Sequence, residues 1–262
     1  MVTGIRIADI RSKVSFKQYW AGKACPGTSI PATLIEGVAT GENGVDPRPR
    51  VLGLFFHDFV RTILELKPSK CQFAGVARSI FTDLCSEYAL KEPSVSFRFD
   101  PTVSQIYESV RHHAGHLLDL DGEKKFEVPV ESNDGSLWGI PDLVVVRGAD
   151  ISLIDFKLSG RRDRLDTERN LSQLAFYSYL VNEVYGFYPN DIRLIGLRGA
   201  CLEVPLDLDL VGDVVGRSKL LNQTFQEAKR LDLSLEEIST PSAISCNHCP
   251  HSKYCGLSLA KG

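Results

Sequence analysis

Apolar positions change their rhythm about 120 residues into the chain. From Val51 to Leu66 they recur at helical spacing, and the run stops before Pro68. The spacing predicts further helices over 73–90 and 102–119, joined by the irregular, two-proline link KEPSVSFRFDP. The rhythm then shortens to that of strands. KFEVPV, Lys125 to Val130, predicts a first strand, and the NDGS turn at 133–136 leads into a second from Leu137 to Val146. Arg147-Gly148-Ala149-Asp150 is a tight turn, and Ile151 to Leu158 is a third strand. Residues 159–169 are polar and basic. A helix over 168–186 follows, then strands at 192–198 and 201–206, the latter with an edge-type Val204-Pro205. A helix over about 209–231 and a cysteine-bearing tail complete the chain.

This order predicts an α/β fold with a mixed β-sheet flanked by helices. The expected plan is one domain over 1–262. It has a helical N-terminal subregion (1–120), a core (121–208), and a C-terminal helix and tail (209–262).

The formal net charge of −3 excludes a polycation, so any nucleic-acid contact must come from a local basic patch. Every apolar run is interrupted by charge before it could cross a membrane. MVTGIRIADIRSK lacks the apolar core of a signal peptide, which predicts a cytoplasmic protein. The cysteine count is odd, at positions 25, 71, 85, 201, 246, 249 and 255, and that argues against a secreted disulfide framework.

The chemistry concentrates in WGIPDLVVVRGADISLIDFKLSG, residues 138–160. Asp142 follows a Gly-x-Pro turn. Asp155 and Lys157 lie two apart in an apolar run, so a strand puts them on one face and Phe156 on the other. Two carboxylates can hold a hard divalent cation, and a lysine beside them can stabilise an anion. That combination suits phosphodiester cleavage. A surface ion pair is the bland alternative, but an aspartate among strongly apolar neighbours is expensive to bury without a partner.

Pro141-Asp142 followed by Asp155-Phe156-Lys157 resembles the PD-(D/E)XK nuclease superfamily. Gln173 and Tyr177 share one helix face and resemble the Q-x-x-x-Y motif of its RecB-like branch. His57, in Gly53-Leu54-Phe55-Phe56-His57, resembles that branch's G-x-x-x-H element. A packed core histidine and a half-buried core tyrosine are the alternatives. Glu127 matches the glutamate that often precedes the G-x-x-D strand, and would orient Lys157 or a water.

Cys246 and Cys249, then Cys255, follow C-x2-C-x5-C, with Cys25 far upstream. Four thiolates suit zinc or an iron–sulfur cluster. The set resembles the RecB-like iron–sulfur nucleases, namely the AddB nuclease domain and the CRISPR-associated Cas-four family. Binding there ties the ends of the fold together. The resemblance implies a structural 4Fe–4S cluster. Zinc, with His248 or His251 replacing a cysteine, is the other reading. Two features depart from the family: glycine follows Cys25-Pro26, and the helical region 66–120 is long. Cys71, Cys85 and Cys201 read as buried small hydrophobes. His112, His113 and His116 read as a surface cluster.

The resemblance implies that His57, Asp142, Asp155 and the Phe156 carbonyl hold Mg²⁺ or Mn²⁺. Lys157 would position a water or offset phosphate charge, and Gln173 and Tyr177 would hold the strand. Arg161, Arg162 and Arg164 are candidate phosphate contacts, interleaved with Asp163 and Asp166 as a solvated loop would be. The expected activity is a DNA exonuclease on single strands or ends, in CRISPR adaptation and antiviral defence or in DNA repair. Adaptation or helicase proteins would be its partners. No G-x-x-x-x-G-K-[ST] loop occurs, so a motor would be a separate chain. A non-catalytic binding subunit and a zinc-stabilised interaction module are the competing readings.

Overall fold

The structure is a computed structural model. It describes residues 13–23, 25–26, 46–93, 95–97 and 100–240, with positions 242, 246, 249, 257 and 259. Its elements are β1 (Val14–Ser15), α1 (Phe16–Gly22), α2 (Arg48–Leu66), α3 (Phe73–Lys91) and α4 (Pro101–Asp119). They continue with β2 (Glu123–Phe126), β3 (Val130–Glu131), β4 (Leu137–Gly139), β5 (Leu143–Arg147) and β6 (Asp150–Phe156). After these come α5 (Arg162–Leu165), α6 (Glu168–Tyr185), β7 (Asp191–Ile195), β8 (Cys201–Glu203), α7 (Leu208–Arg230) and α8 (Leu235–Ile238).

A five-stranded sheet runs in the order β2-β5-β6-β7-β8. Only β6 and β7 are parallel, and the other neighbours are antiparallel. A small second sheet, β1-β4-β3, stands beside it. The mixed α/β architecture is the one the sequence predicts. Each face of the large sheet carries its own core. Leu143, Val145, Ile154 and Phe156 meet α2, α3 and α4 on one face. Val144, Ile151, Leu153 and Leu194 meet α1, α6 and α7 on the other. The central strands are therefore apolar on both sides, as strands sandwiched by helices must be.

Helix α2 is anchored by Phe55, Phe56, Phe59, Ile63 and Leu64, each at most 1% exposed. Burying each stabilises by about 1.5–3 kcal/mol. Helix α6 starts at Thr167, whose hydroxyl accepts from the Asn170 N–H, and stops at Gly186 with φ 78°. Among the described residues no helix is long and apolar enough to cross a membrane.

Several local expectations are corrected. The strand predicted over 137–146 is two strands in different sheets, parted at Ile140-Pro141-Asp142. The strand over 125–130 ends at Phe126, because Glu127 turns into the left-handed region at φ 45°. Glu127 thus lies just past the strand. The run 192–198 is strand only to Ile195, and residues 197–199 form a 3₁₀ turn. Cys71 is exposed, whereas Cys85 and Cys201 are half-buried and pack against the edge of the α2–α4 core.

His113 does not belong to a surface cluster. It is 7% exposed, its Nε2 has no partner among the described residues, and it lines a small cavity with Phe56, Val60 and Phe156. Burial, then the His112 and His116 charges, lowers its pKa from 6.5 to about 4. The imidazole is neutral in the fold and protonates near 6.5 once unfolded. Its contribution to stability is therefore complete above pH 6.5 and is lost as pH falls towards 4, on the order of 2 kcal/mol. His113→Leu should flatten this acid limb and raise Tm at pH 5, read by thermal melts across pH 4–8. Parallel pH profiles for the two proteins would refute it.

Candidate active site

The site is built at one end of the large sheet. Strand β5 pairs with β6 in a register that sets Leu143 opposite Ile154. One step further along sets Asp142 opposite Asp155. The Asp142 carboxylate closes this end, its Oδ2 accepting the Phe156 N–H at 2.7 Å. The Lys157 N–H continues the ladder to the Ile195 carbonyl at 2.8 Å. Alternation does the rest. Phe156 packs against Phe56, with ring centroids 5.6 Å apart, while Asp155 and Lys157 turn to α6.

Asp155 is 1% exposed. Its Oδ1 accepts from Gln173 Nε2 at 3.2 Å. Its Oδ2 lies 2.6 Å from Lys157 Nζ, an ion-pair contact without hydrogen-bond alignment, so this buried oxygen keeps lone-pair capacity. Lys157 Nζ donates to Gln173 Oε1 at 2.8 Å. Gln173 Nε2 also reaches the Tyr177 hydroxyl at 3.4 Å. Burial raises the Tyr177 pKa, so the phenol keeps its proton.

His57 enters from α2. Its Nε2 is 3.5 Å from Asp142 Oδ2, and its Nδ1 is 3.5 Å from Glu127 Oε1. Glu127 also binds Arg61 at 2.9 Å, and its N–H donates to the Asp142 carbonyl at 3.1 Å. Arg61 holds Asp58, which accepts from the Tyr88 hydroxyl. Sequence reading did not find Arg61, Asp58 and Tyr88. The spacing of Asp58 and Arg61 beside His57 on one helix was the available signal.

Among the described residues no three His, Cys, Asp or Glu side chains are already gathered as a metal cage. The donor chemistry nevertheless fits a cation. His57 is set between two carboxylates, Nδ1 towards Glu127 and Nε2 towards Asp142, and a neutral imidazole can offer one ring nitrogen as a ligand. A cation held between Nε2 and the Asp142 carboxylate would satisfy both. Burial, then the Asp155 charge, raises the Asp142 pKa, and a divalent cation would relieve both. His57, Asp142, Asp155 and the Phe156 carbonyl are the groups that could supply the ligands.

The family model of the PD-(D/E)XK nuclease superfamily matches residues 32–256. The chain belongs to the PD-(D/E)XK nuclease superfamily. Such nucleases generally use divalent metals such as Mg²⁺ or Mn²⁺. A protein from Eubacterium rectale, provisionally named an exonuclease, has a crystal structure that matches 96% of this chain and 90% of its own. Identity is 12% and the TM-score 0.53, which shows a shared fold. The crystal structure of SSO0001 matches 67% of this chain and 81% of its own at 19% identity, with a TM-score of only 0.31. No curated protein matches the chain.

The remaining predicted residues of this nuclease lie apart from the carboxylates or outside the described residues. Arg161, Arg162 and Arg164 are exposed around α5, with Arg161 paired to Asp163 at 2.6 Å. Cys25 and Cys246 are buried and Cys249 is half-buried. Cys255, His248 and His251 lie outside the described residues.

The Gly-x-Pro turn has a steric reason. A Cβ on Gly139 would lie 2.7 Å from Tyr177 Cε1 and 3.1 Å from Leu180 Cδ1, so only glycine lets that ring lie over β4. Gly139→Ala should therefore displace Tyr177 and cost about 1–3 kcal/mol. Thermal denaturation should show the loss, and Gly139→Ala/Tyr177→Leu should recover part of it. A single variant as stable as the parent would refute the contact.

Proposed function

We propose that this nuclease is a metal-dependent DNA exonuclease of the RecB-like branch, acting on single strands or DNA ends. The observation that carries the reading is the convergence of His57, Asp142, Asp155, Lys157, Gln173 and Tyr177 at one sheet end, joined by the contacts at 2.6–3.5 Å described above. In the proposal His57, Asp142, Asp155 and the Phe156 carbonyl hold Mg²⁺ or Mn²⁺. When bound, such a cation polarises the scissile phosphate and acidifies a water. Lys157 offsets charge on the phosphate in the transition state, and its bond to Gln173 keeps the ammonium aimed. Glu127 fixes the His57 ring through Nδ1, and Arg61 holds Glu127 in turn. Tyr177 stays protonated and can donate to a phosphate oxygen.

A role in CRISPR adaptation or in DNA repair rests on the resemblance to the iron–sulfur members of the branch. So do adaptation or helicase proteins as partners. In this reading Cys25, Cys246, Cys249 and Cys255 carry a 4Fe–4S cluster, with zinc as the other metal a four-cysteine site accepts. Buried cysteines at 25 and 246 are compatible with that donor set.

Anaerobically purified protein, Mn²⁺ and end-labelled single-stranded DNA test the activity. Asp155→Ala and Lys157→Ala should each lower the cleavage rate at least about 100-fold while the fold, read by circular dichroism, survives. Full activity in both variants would sink the proposal. For the cluster, Cys246→Ala should lose the brown colour and bound iron and melt at lower temperature. Iron content and Tm equal to the parent's would remove Cys246 from the site, and zinc in the parent would replace the cluster reading.

A further inference from the structure

A basic groove begins beside the active strand and follows α4 across the outside of the molecule. Its near end is built by the turn after β7. The Leu197 N–H donates to the Ser159 carbonyl at 2.8 Å, and Ser109 on α4 donates to the Gly196 carbonyl at 2.6 Å. A Cβ on Gly196 would lie 2.1 Å from the Ser159 carbonyl oxygen, so this junction admits only glycine. The Arg198 stem lies over Gly160, where a Cβ would meet its Cδ at 3.2 Å. Gly199 lies against His112, where a Cβ would meet the ring at 3.2 Å. Ser159 and Gly160 directly follow Lys157 and Leu158. Contacts therefore run unbroken from the catalytic strand to α4.

From there one cleft is lined by Phe73, Arg111, His112 and Arg198. A second shares Phe73, Arg111 and His112, and continues to Lys67, Lys70 and Lys124. The stretch of α4 that borders them, Ser104 to Asp119, is about 22 Å long. That is the length of about six stacked nucleotides.

The groove holds five cationic side chains against three carboxylates, Glu108, Asp119 and Asp121, in a chain whose net charge is −3. Two of the five cations are weakly engaged. Arg111 meets Glu108 at 3.4 Å and Lys70 meets Asp119 at 3.2 Å, both pairs largely exposed. Among the described residues Lys67 and Arg198 make no ion pair. Both are exposed, and both hold left-handed backbone, at φ 48° and 55°. At Lys67 this conformation ends α2, its N–H donating to the Ile63 carbonyl, and it leaves the side chain exposed at the helix end. Exposed His112 and half-buried Phe73 add flat faces on which bases can stack.

We propose that this groove is an extended binding track for single-stranded nucleic acid, gripping the part of the strand remote from the scissile phosphate. The inference rests on the nuclease reading and deepens it. Arg198 would take the first phosphate beyond the carboxylates, and Arg111 and Lys67 later ones.

The test uses the full chain with Lys67→Glu/Arg111→Glu/Arg198→Glu, and a milder triple glutamine variant as a check on folding. None of the three positions touches the catalytic carboxylates. Fluorescence anisotropy with a labelled 20-residue oligothymidylate, in chelator, reads binding. Hydrolysis of bis(p-nitrophenyl) phosphate with Mn²⁺ reads the chemistry alone. The glutamate variant should raise the Kd of the oligonucleotide at least ten-fold. It should also flatten the slope of log K against log salt by about 2. Hydrolysis of the small diester should not change. Unchanged oligonucleotide affinity and salt slope in both variants would overturn the groove and leave the nuclease reading intact. A parent protein that neither binds the oligonucleotide nor cleaves any phosphodiester would overturn both.

Discussion

The antiparallel pairing of β5 with β6 is the constraint on which the site depends. Its register places Asp142 opposite Asp155, and so brings two carboxylates together at the sheet end. A slip of one residue would turn Asp155 and Lys157 to the α2 face and drive Phe156 into α6. The tight turn at Arg147–Asp150 sets the register from one end. At the other end, the Asp142 side chain captures the Phe156 N–H. One carboxylate thus completes the ladder and belongs to the site.

That arrangement is costly, and the surrounding structure shows how the cost is met. Asp155 sits between Ile154 and Phe156 in a strand apolar on both faces. An isolated charge there would be strongly disfavoured. Lys157 and Gln173 supply the compensation, and the missing Cβ of Gly139 leaves room for Tyr177, one turn along α6 from Gln173. The second sheet, which contributes no charged group to the site, thus makes room for the helix that orients the lysine. On the opposite face, Glu127 reaches His57 because its backbone leaves the strand at φ 45°. An extended residue at that position would send its side chain elsewhere.

What could be read from the sequence divides along the same line. Helices α2, α4, α6 and α7 were legible because each carries a long apolar stripe. The alternation of Asp155, Phe156 and Lys157 was legible because strand periodicity is local. The break at Ile140-Pro141-Asp142 was not, since an apolar run through 137–146 does not reveal which of two sheets each half joins. Glu127 was assigned to the strand because a left-handed residue other than glycine has no compositional mark. His113 was misplaced for the opposite reason. Two exposed histidines flank its motif, but the helical period turns only this one inward. The Tyr88-Asp58-Arg61-Glu127 chain joins three segments distant in sequence, and no local pattern encodes such a network.

The two faces of the sheet also divide the labour. The α6 face supplies the groups that, in the proposed function, would meet the reacting phosphate: Asp155, Lys157, Gln173 and Tyr177. The α2–α4 face supplies His57 and a rigid wall of Phe55, Phe56 and Phe59. The parallel pairing of β6 with β7 joins them, because it brings the turn after β7 to the same end as Lys157. A cation presented by that turn, Arg198, is thereby held in fixed relation to the carboxylates without lying among them. The register that creates the site also fixes where a strand leaving it would first meet positive charge.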